Sequence, residues 1–164
     1  FKRNLNMYIL AESRTGYLTE ANSTLKQNLK LWLGNYKMIH DTVDILDGKI
    51  VNFGIVFHAV ANPQFNKFEV LAQAQTMIAT KFAQPLYMGE PLYVTDIISS
   101  LNKDIEGIID VKSVKIISKS SAAYSRSTFD FDAQMSADGR MLMVPDNVCM
   151  ELKYPDADIK GTLE

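Results

Sequence analysis

The clearest pattern in the chain is the alternation from Lys49 to Ala61, where Val51, Phe53, Ile55 and Phe57 share one parity and Asn52, Gly54, Val56 and His58 the other. Successive side chains of a strand point to opposite faces, so this run predicts a β-strand whose first face packs under helices. A shorter apolar run from Asn6 to Ala11 predicts a second buried strand, followed by a polar exit loop. Between them Leu25, Leu29, Trp32, Leu33 and Tyr36 recur at helical spacing behind the capping oxygens of Asn22, Ser23 and Thr24, which predicts an amphipathic helix that frays or stops early at Gly34. Thr42 to Leu46 meets the long strand through Asp47-Gly48, a dipeptide that suits a tight hairpin turn.

Beyond Asn62-Pro63, Asn66 is placed to cap a helix with Glu69 reaching back, and Leu71, Ala74, Ile78 and Phe82 continue its stripe as far as the stop at Pro85. After the turn Met88-Gly89-Glu90-Pro91, a third helix shows Val94, Ile97, Ile98, Leu101 and Ile105 in a narrow apolar row, and Gly107 is placed as a positive-φ terminator. The strand from Ile108 to Ser118 changes phase between Ile109/Val111 and Val114/Ile116, so a bulge near Lys112-Ser113 is needed to keep both pairs facing a core.

This order predicts an α+β fold over residues 1–118, a ferredoxin-like split βαβ sheet with one extra helix and helices on one face. The serine-rich stretch from Ser118 to Ser127 reads as a loop or boundary. Residues 119–164 then read as a C-terminal extension of short strands. Phe129 and Phe131 alternate with Asp130 and Asp132, Ala137-Asp138-Gly139 turns into Met141 and Met143, and Val148, Met150, Leu152 and Tyr154 alternate before an irregular end from Pro155 to Glu164.

Composition narrows the picture. A chain of 164 residues, 47% hydrophobic and 22% charged, is the size of one domain, which spans about 100 to 200 residues. Phe1-Lys2-Arg3 resembles neither an initiator nor a signal peptide, so the chain reads as a piece of a longer polypeptide. Cys149 is its single cysteine and has no partner for an internal disulfide, which points to synthesis in a reducing cytosol. The net charge of −2 gives no overall field for phosphate backbones, which counts against nucleic acid as a partner. No apolar run approaches the roughly 20 residues that cross a bilayer, and no membrane partner is expected.

Candidate chemistry is sparse. His40 and His58 are the two histidines and neither sits in a Ser-His-Asp or Cys-His arrangement. Asp41, Asp44 and Asp47 precede Gly48 at three-residue spacing, whereas a calcium loop needs ligands at every second position and a glutamate at its twelfth. Asn52 to Phe57 and Met7-Tyr8-Ile9 partly echo the paired motifs of an RNA-recognition sheet, but Val51, Asn52, Ile55 and His58 stand where that surface needs a cation, a glycine and stacking aromatics. Arg14-Thr15-Gly16 lacks the surroundings of an acylphosphatase phosphate cradle. No glycine-rich phosphate loop or cysteine-histidine metal spacing is present, so no enzyme chemistry, cofactor or metal is expected. Met135, Met141, Met143 and Met150 crowd the C-terminal stretch, where methionines either fill a core or line a contact surface.

The element order, together with Leu25-Lys26-Gln27-Asn28-Leu29-Lys30, Asn52-Phe53-Gly54-Ile55, Met88-Gly89-Glu90-Pro91, Gly107-Ile108-Ile109-Asp110-Val111, Met135-Ser136-Ala137-Asp138-Gly139 and Tyr154-Pro155-Asp156-Ala157-Asp158-Ile159-Lys160-Gly161, resembles the C-terminal region of baseplate wedge proteins of T-even-type contractile-tailed phages, relatives of the baseplate J-like proteins. The resemblance implies a virion structural component, assembled in the bacterial cytoplasm, that pairs with itself, contacts other wedge subunits and joins wedges around the tail hub. Such a role needs surfaces rather than an active site. The interface is expected on the C-terminal strands around Phe129, Phe131, Met141, Met143 and Met150, with a ligand- or RNA-binding module on the same fold as the alternative.

Overall fold

The computed structural model describes residues 3–38 and 41–164, so His40 lies outside the described residues. The chain forms two compact units, one ending at Lys49 and one running from Ile50 to Glu164. Both mix helix and strand with small sheets, which is compatible with the expected α+β class. The division does not fall at Ser118. Residues 119–164 share a hydrophobic core with the long strand and its helices, because Phe131, Leu142, Val148, Met150 and Ile159 pack with Phe53, Ile55 and Phe57.

The first unit contains β1 (Arg3–Ile9), β2 (Ala11–Glu12), β3 (Leu18–Thr19), α1 (Ser23–Gly34) and β4 (Asp41–Asp47). β1 and β4 run parallel in unbroken register, from Arg3 opposite Asp41 to Ile9 opposite Asp47. Parallel neighbours need a crossover, and α1 supplies it. Asn22 caps the helix, its side-chain oxygen accepting from the Leu25 N–H at 2.8 Å, and Lys26 reaches Asp47 Oδ2 at 2.5 Å. The short pair β2/β3 is antiparallel.

The Asp47-Gly48 hairpin does not form. Gly48 is not among the glycines at positive φ, its N–H donates to the Ile9 carbonyl at 3.0 Å, and β4 pairs with β1. A dipeptide with turn propensity is overruled where the flanking strands find other partners.

The second unit begins on β5 (Lys49–Ala61), whose core face is the predicted one: Phe53, Ile55 and Phe57 are 0% exposed. α2 (Lys67–Lys81) follows, capped by Asn66 Oδ1 accepting from the Phe68 N–H, with Val70, Ala74 and Ile78 buried. β6 (Leu92–Tyr93) leads into α3 (Val94–Asp104), which buries Val94, Ile97 and Leu101. β7 (Ile108–Lys119) pairs antiparallel with β5 from Asn52/Lys119 to Ala61/Ile108. Two register shifts interrupt it. His58 faces Ser113 while Ala59 faces Val111, so Lys112 is the extra residue of a bulge, as the phase change predicts. The second shift leaves Ile109 outside and turns Ile108 into the core.

The C-terminal part departs most from expectation. Phe131 opens a short helix, α4 (Phe131–Gln134), instead of a strand, because Asp130 Oδ1 accepts from the N–H groups of Asp132 and Ala133. β8 (Met141–Leu142) follows the predicted turn at Gly139 and pairs with β6. β9 (Val148–Glu151) is buried throughout and pairs with β5. The end is ordered: α5 (Pro155–Asp158) delivers β10 (Ile159–Leu163), which lies parallel to β5 from Ile159/Ile55 to Leu163/Ala59. The sheet order is therefore β10-β5-β7 with β9 also on β5, and β1 pairs with β4 rather than joining that sheet. Gly107 is not a positive-φ stop either. Its place is set by space, since a Cβ there would lie 2.3 Å from Val70 Cγ2.

Candidate functional site

The outer face of β5 begins with Asn52, a polar residue in an otherwise apolar strand end, and the structure buries it completely. Burial of an amide without partners costs more than the hydrogen bonds return, so its partners matter. Asn52 Nδ2 donates to Glu151 Oε2 at 3.1 Å, and its Oδ1 accepts from the Ser125 N–H at 2.7 Å. Beside it Asp158, 1% exposed, accepts from the Tyr124 hydroxyl at 2.6 Å and from the Tyr154 N–H at 3.2 Å, with Lys119 Nζ 3.5 Å away. The Tyr124 and Tyr154 rings meet edge to face, 5.4 Å apart, and Lys153 Nζ donates to the Ala123 carbonyl at 2.7 Å.

These contacts tie the serine-rich loop and the approach to β10 onto β5. The hydrogen bond to Asp158, followed by burial, pushes the Tyr124 phenol up to about 12. A neutral phenol donating to a buried carboxylate is a fixed bond, and Asp158 has its oxygens occupied by hydroxyl, amide and ammonium donors. Catalysis requires such groups to reach a substrate. Here they reach each other, and the cluster works as a clamp.

Cys149 is likewise buried. Its Sγ lies 2.8 Å from the Leu86 carbonyl, and burial, helped by the charges of Glu151 and Glu90, pushes the thiol up to about 11. A protonated, enclosed thiol is a poor nucleophile. Glu90 closes its own turn by accepting from the Tyr87 N–H at 2.7 Å, and Gly89, at φ +70°, donates to the Val148 carbonyl. Met88 to Pro91 is thus a docking turn against the start of β9. His58 is exposed on the outer face of β5. Among the described residues no group of three His, Cys, Asp or Glu side chains is placed to hold a metal.

The five residues expected at an interface are split. Met150 is 0% exposed and Phe131 is buried, both within the core. Phe129 packs against that core and contacts the Phe131 ring at 4.7 Å, and Met141 is half-buried in β8. Met143 alone of the five is well exposed, at 47%. No continuous surface is made of this set, because alternate residues in β9 are all covered and α4 turns Phe131 inward.

The large apolar surface lies in the first unit instead. Leu25, Leu31, Trp32, Tyr36 and Met38 are between 48% and 78% exposed, and α1 buries none of its residues. The ring of Tyr36, just past the end of α1, meets that of Trp32 at a tilt of 47° with centroids 4.8 Å apart. Leu29 and Leu33 are half-buried, and Leu33 helps line a groove of ≈470 Å³ with Leu5, Met7, Tyr36, Met38 and Val43. The periodicity marks this helix as amphipathic; what it does not mark is how little of the stripe the first unit itself covers. No protein-family model matches the chain, and no curated protein matches it significantly.

Proposed function

We propose that this chain is a structural subunit of a contractile-tail baseplate wedge, acting in the virion by associating with copies of itself and with other wedge subunits around the tail hub. One observation supports an assembly role above others: the apolar Leu25 and Trp32 on one side of α1, with Tyr36 just beyond its end, are left open. Folded monomers rarely expose contiguous apolar patches beyond a few hundred Å² unless a partner covers them. On this reading the self-association surface is α1 rather than the C-terminal strands, and the chain carries out no catalysis. A ferredoxin-like relationship belongs to the same proposal and rests on the β5-α2-α3-β7 portion, two adjacent antiparallel strands joined through two helices.

The alternative of RNA binding has less support, since stacking on this sheet needs open aromatics and Phe53 and Phe57 are fully buried. Trp32 is the single tryptophan of the chain, so its emission reports its surroundings directly. Sedimentation and fluorescence over rising concentration are expected to show a dimer or larger species with a blue shift of that emission, and Trp32→Ser is expected to remain monomeric. A monomer at every concentration, with a water-exposed emission, would contradict self-association. Fitting the fold into a density map of a contractile-tail baseplate tests the wedge assignment itself; absence of any matching density would remove it.

A further inference from the structure

β7 is an edge strand. β5 occupies one side of it, and among the described residues no other strand pairs with it. A free edge presents unpaired N–H and C=O groups at alternate residues. The stretch from Ser113 to Lys119, past both bulges, is regular.

At the Lys112–Lys115 end of this edge lies a groove of ≈560 Å³ between β7 and α3, within the range of sites that accept small ligands and peptide side chains. Val94, Ile98 and Val114 give it an apolar lining, and Thr95, Ser99 and Ser113 add hydroxyls. Lys112, Lys115 and Arg140 supply three cations against two carboxylates, Asp138 in the lining and Glu164 on Lys112. Lys112 pairs with Glu164 and Arg140 Nε lies 3.7 Å from Asp138 Oδ2, both exposed pairs that exchange partners at little cost. Lys115 makes no ion pair among the described residues.

We propose that this groove receives an extended peptide segment of a partner protein, alternately acidic and apolar, which adds a strand to the Ser113–Lys119 edge of β7. The edge calls for a strand because only extended backbone satisfies a row of alternating donors and acceptors. The alternation follows from strand geometry: one set of side chains enters between Ile98 and Val114, and carboxylates meet Lys112, Lys115 and Arg140. Single-stranded nucleic acid, the other anionic polymer, needs aromatic platforms, and none of the residues that line the groove is aromatic. Lysines and bulges also serve to repel unwanted strands; the bulge at Lys112 marks the end of the free stretch and leaves the rest of it regular. This site stands apart from the wedge assignment and survives or fails without it.

The test uses the full chain, ¹⁵N-labelled, titrated with an eight-residue capped peptide of alternating Glu and Val. Amide shifts are expected at 113–119, in the first turns of α3 and at 138–140. Methylating every second peptide nitrogen, in both registers, is expected to weaken binding about tenfold in one register, the size of two lost hydrogen bonds. The Lys-Val peptide should not bind, and the double variant K115E/R140E should lose about tenfold with an unchanged melting curve. Equal binding by both methylated peptides would reduce the contact to charge alone and overturn the strand. Shifts elsewhere, or no binding at millimolar peptide, would overturn the site.

Discussion

In the unit from Ile50 to Glu164 the face of β5, the inner sides of α2 and α3 and most of β9 meet in one core. In the unit ending at Lys49, only Ala21 and Gly48 among the described residues are buried. The two are built from similar material, strands of comparable pattern and helices with similar stripes. What separates them is the number of layers. β5 has neighbours on both edges and helices beneath it, whereas β1 and β4 form a two-stranded parallel sheet with one helix. Parallel sheets are ordinarily covered on both faces, and two strands alone are marginal. An apolar helix face shows that something is to be covered; it does not show that the same chain covers it.

The sharpest way to break the contrast is to remove one large side chain from each unit. Phe57→Ala is expected to cost about 3–5 kcal/mol in chemical denaturation, the range for deleting a buried ring, while Leu31→Ala, at an exposed position, should stay within about 0.5 kcal/mol. Comparable losses at both sites would mean that the first unit has a core of its own.

Next in size is Gly161→Ala. A Cβ at Gly161 would lie 2.3 Å from Phe57 Cζ and 2.6 Å from Leu71 Cδ1, so the added methyl has to displace a fully packed ring. Overpacking of this kind costs about 1–3 kcal/mol, and the loss should appear in the melting temperature. An unchanged melt would show that β10 is not seated on β5 as described.

A smaller effect follows from the clamp. The phenol of Tyr124 is raised from its ordinary value of 10.0 to about 12, so the folded chain holds that proton longer than the unfolded chain does. The bond's contribution is complete below pH 10 and is lost as pH rises toward about 12, because deprotonation is easier once unfolded. Cys149, raised from 9.0 to about 11, adds a loss of the same sign at slightly lower pH. In a Cys149→Ala background, Tyr124→Phe should flatten the alkaline fall of the denaturation midpoint; an equally steep fall in both chains would place the titration elsewhere. The smallest stability effect belongs to Trp32→Ser, within about 0.5 kcal/mol for the monomer, yet in the assembled state it should be among the costliest surface changes, as buried tryptophans are at interfaces.

Local signals carried much of the second unit. The parity of β5, the Asn66 cap, the row from Val94 to Leu101 and the phase slip at Lys112 each follow from a few neighbouring residues. Pairing partners did not follow, because pairing is decided by distant residues. Asp47-Gly48 has hairpin chemistry, but β4 lies beside β1, and the alternation of Ile159, Gly161 and Leu163 is too short to announce β10 without Phe57 to fit against. Phe129 and Phe131 alternate like a strand, yet Asp130 caps a helical turn that Phe131 opens. The clamp of Asn52, Tyr124 and Asp158 left no signal in spacing at all, since its members are separated by long stretches of chain.

Hydrogen exchange on the full chain, followed at several protein concentrations, tests most directly whether the first unit is completed by association. The account predicts that the β5 and β9 amides, and those β7 amides that bond to β5, keep the same protection at every concentration, while α1 amides exchange quickly in dilute solution and become protected as concentration rises. Protection of α1 that matches β5 in dilute solution, unchanged on concentrating, would contradict it.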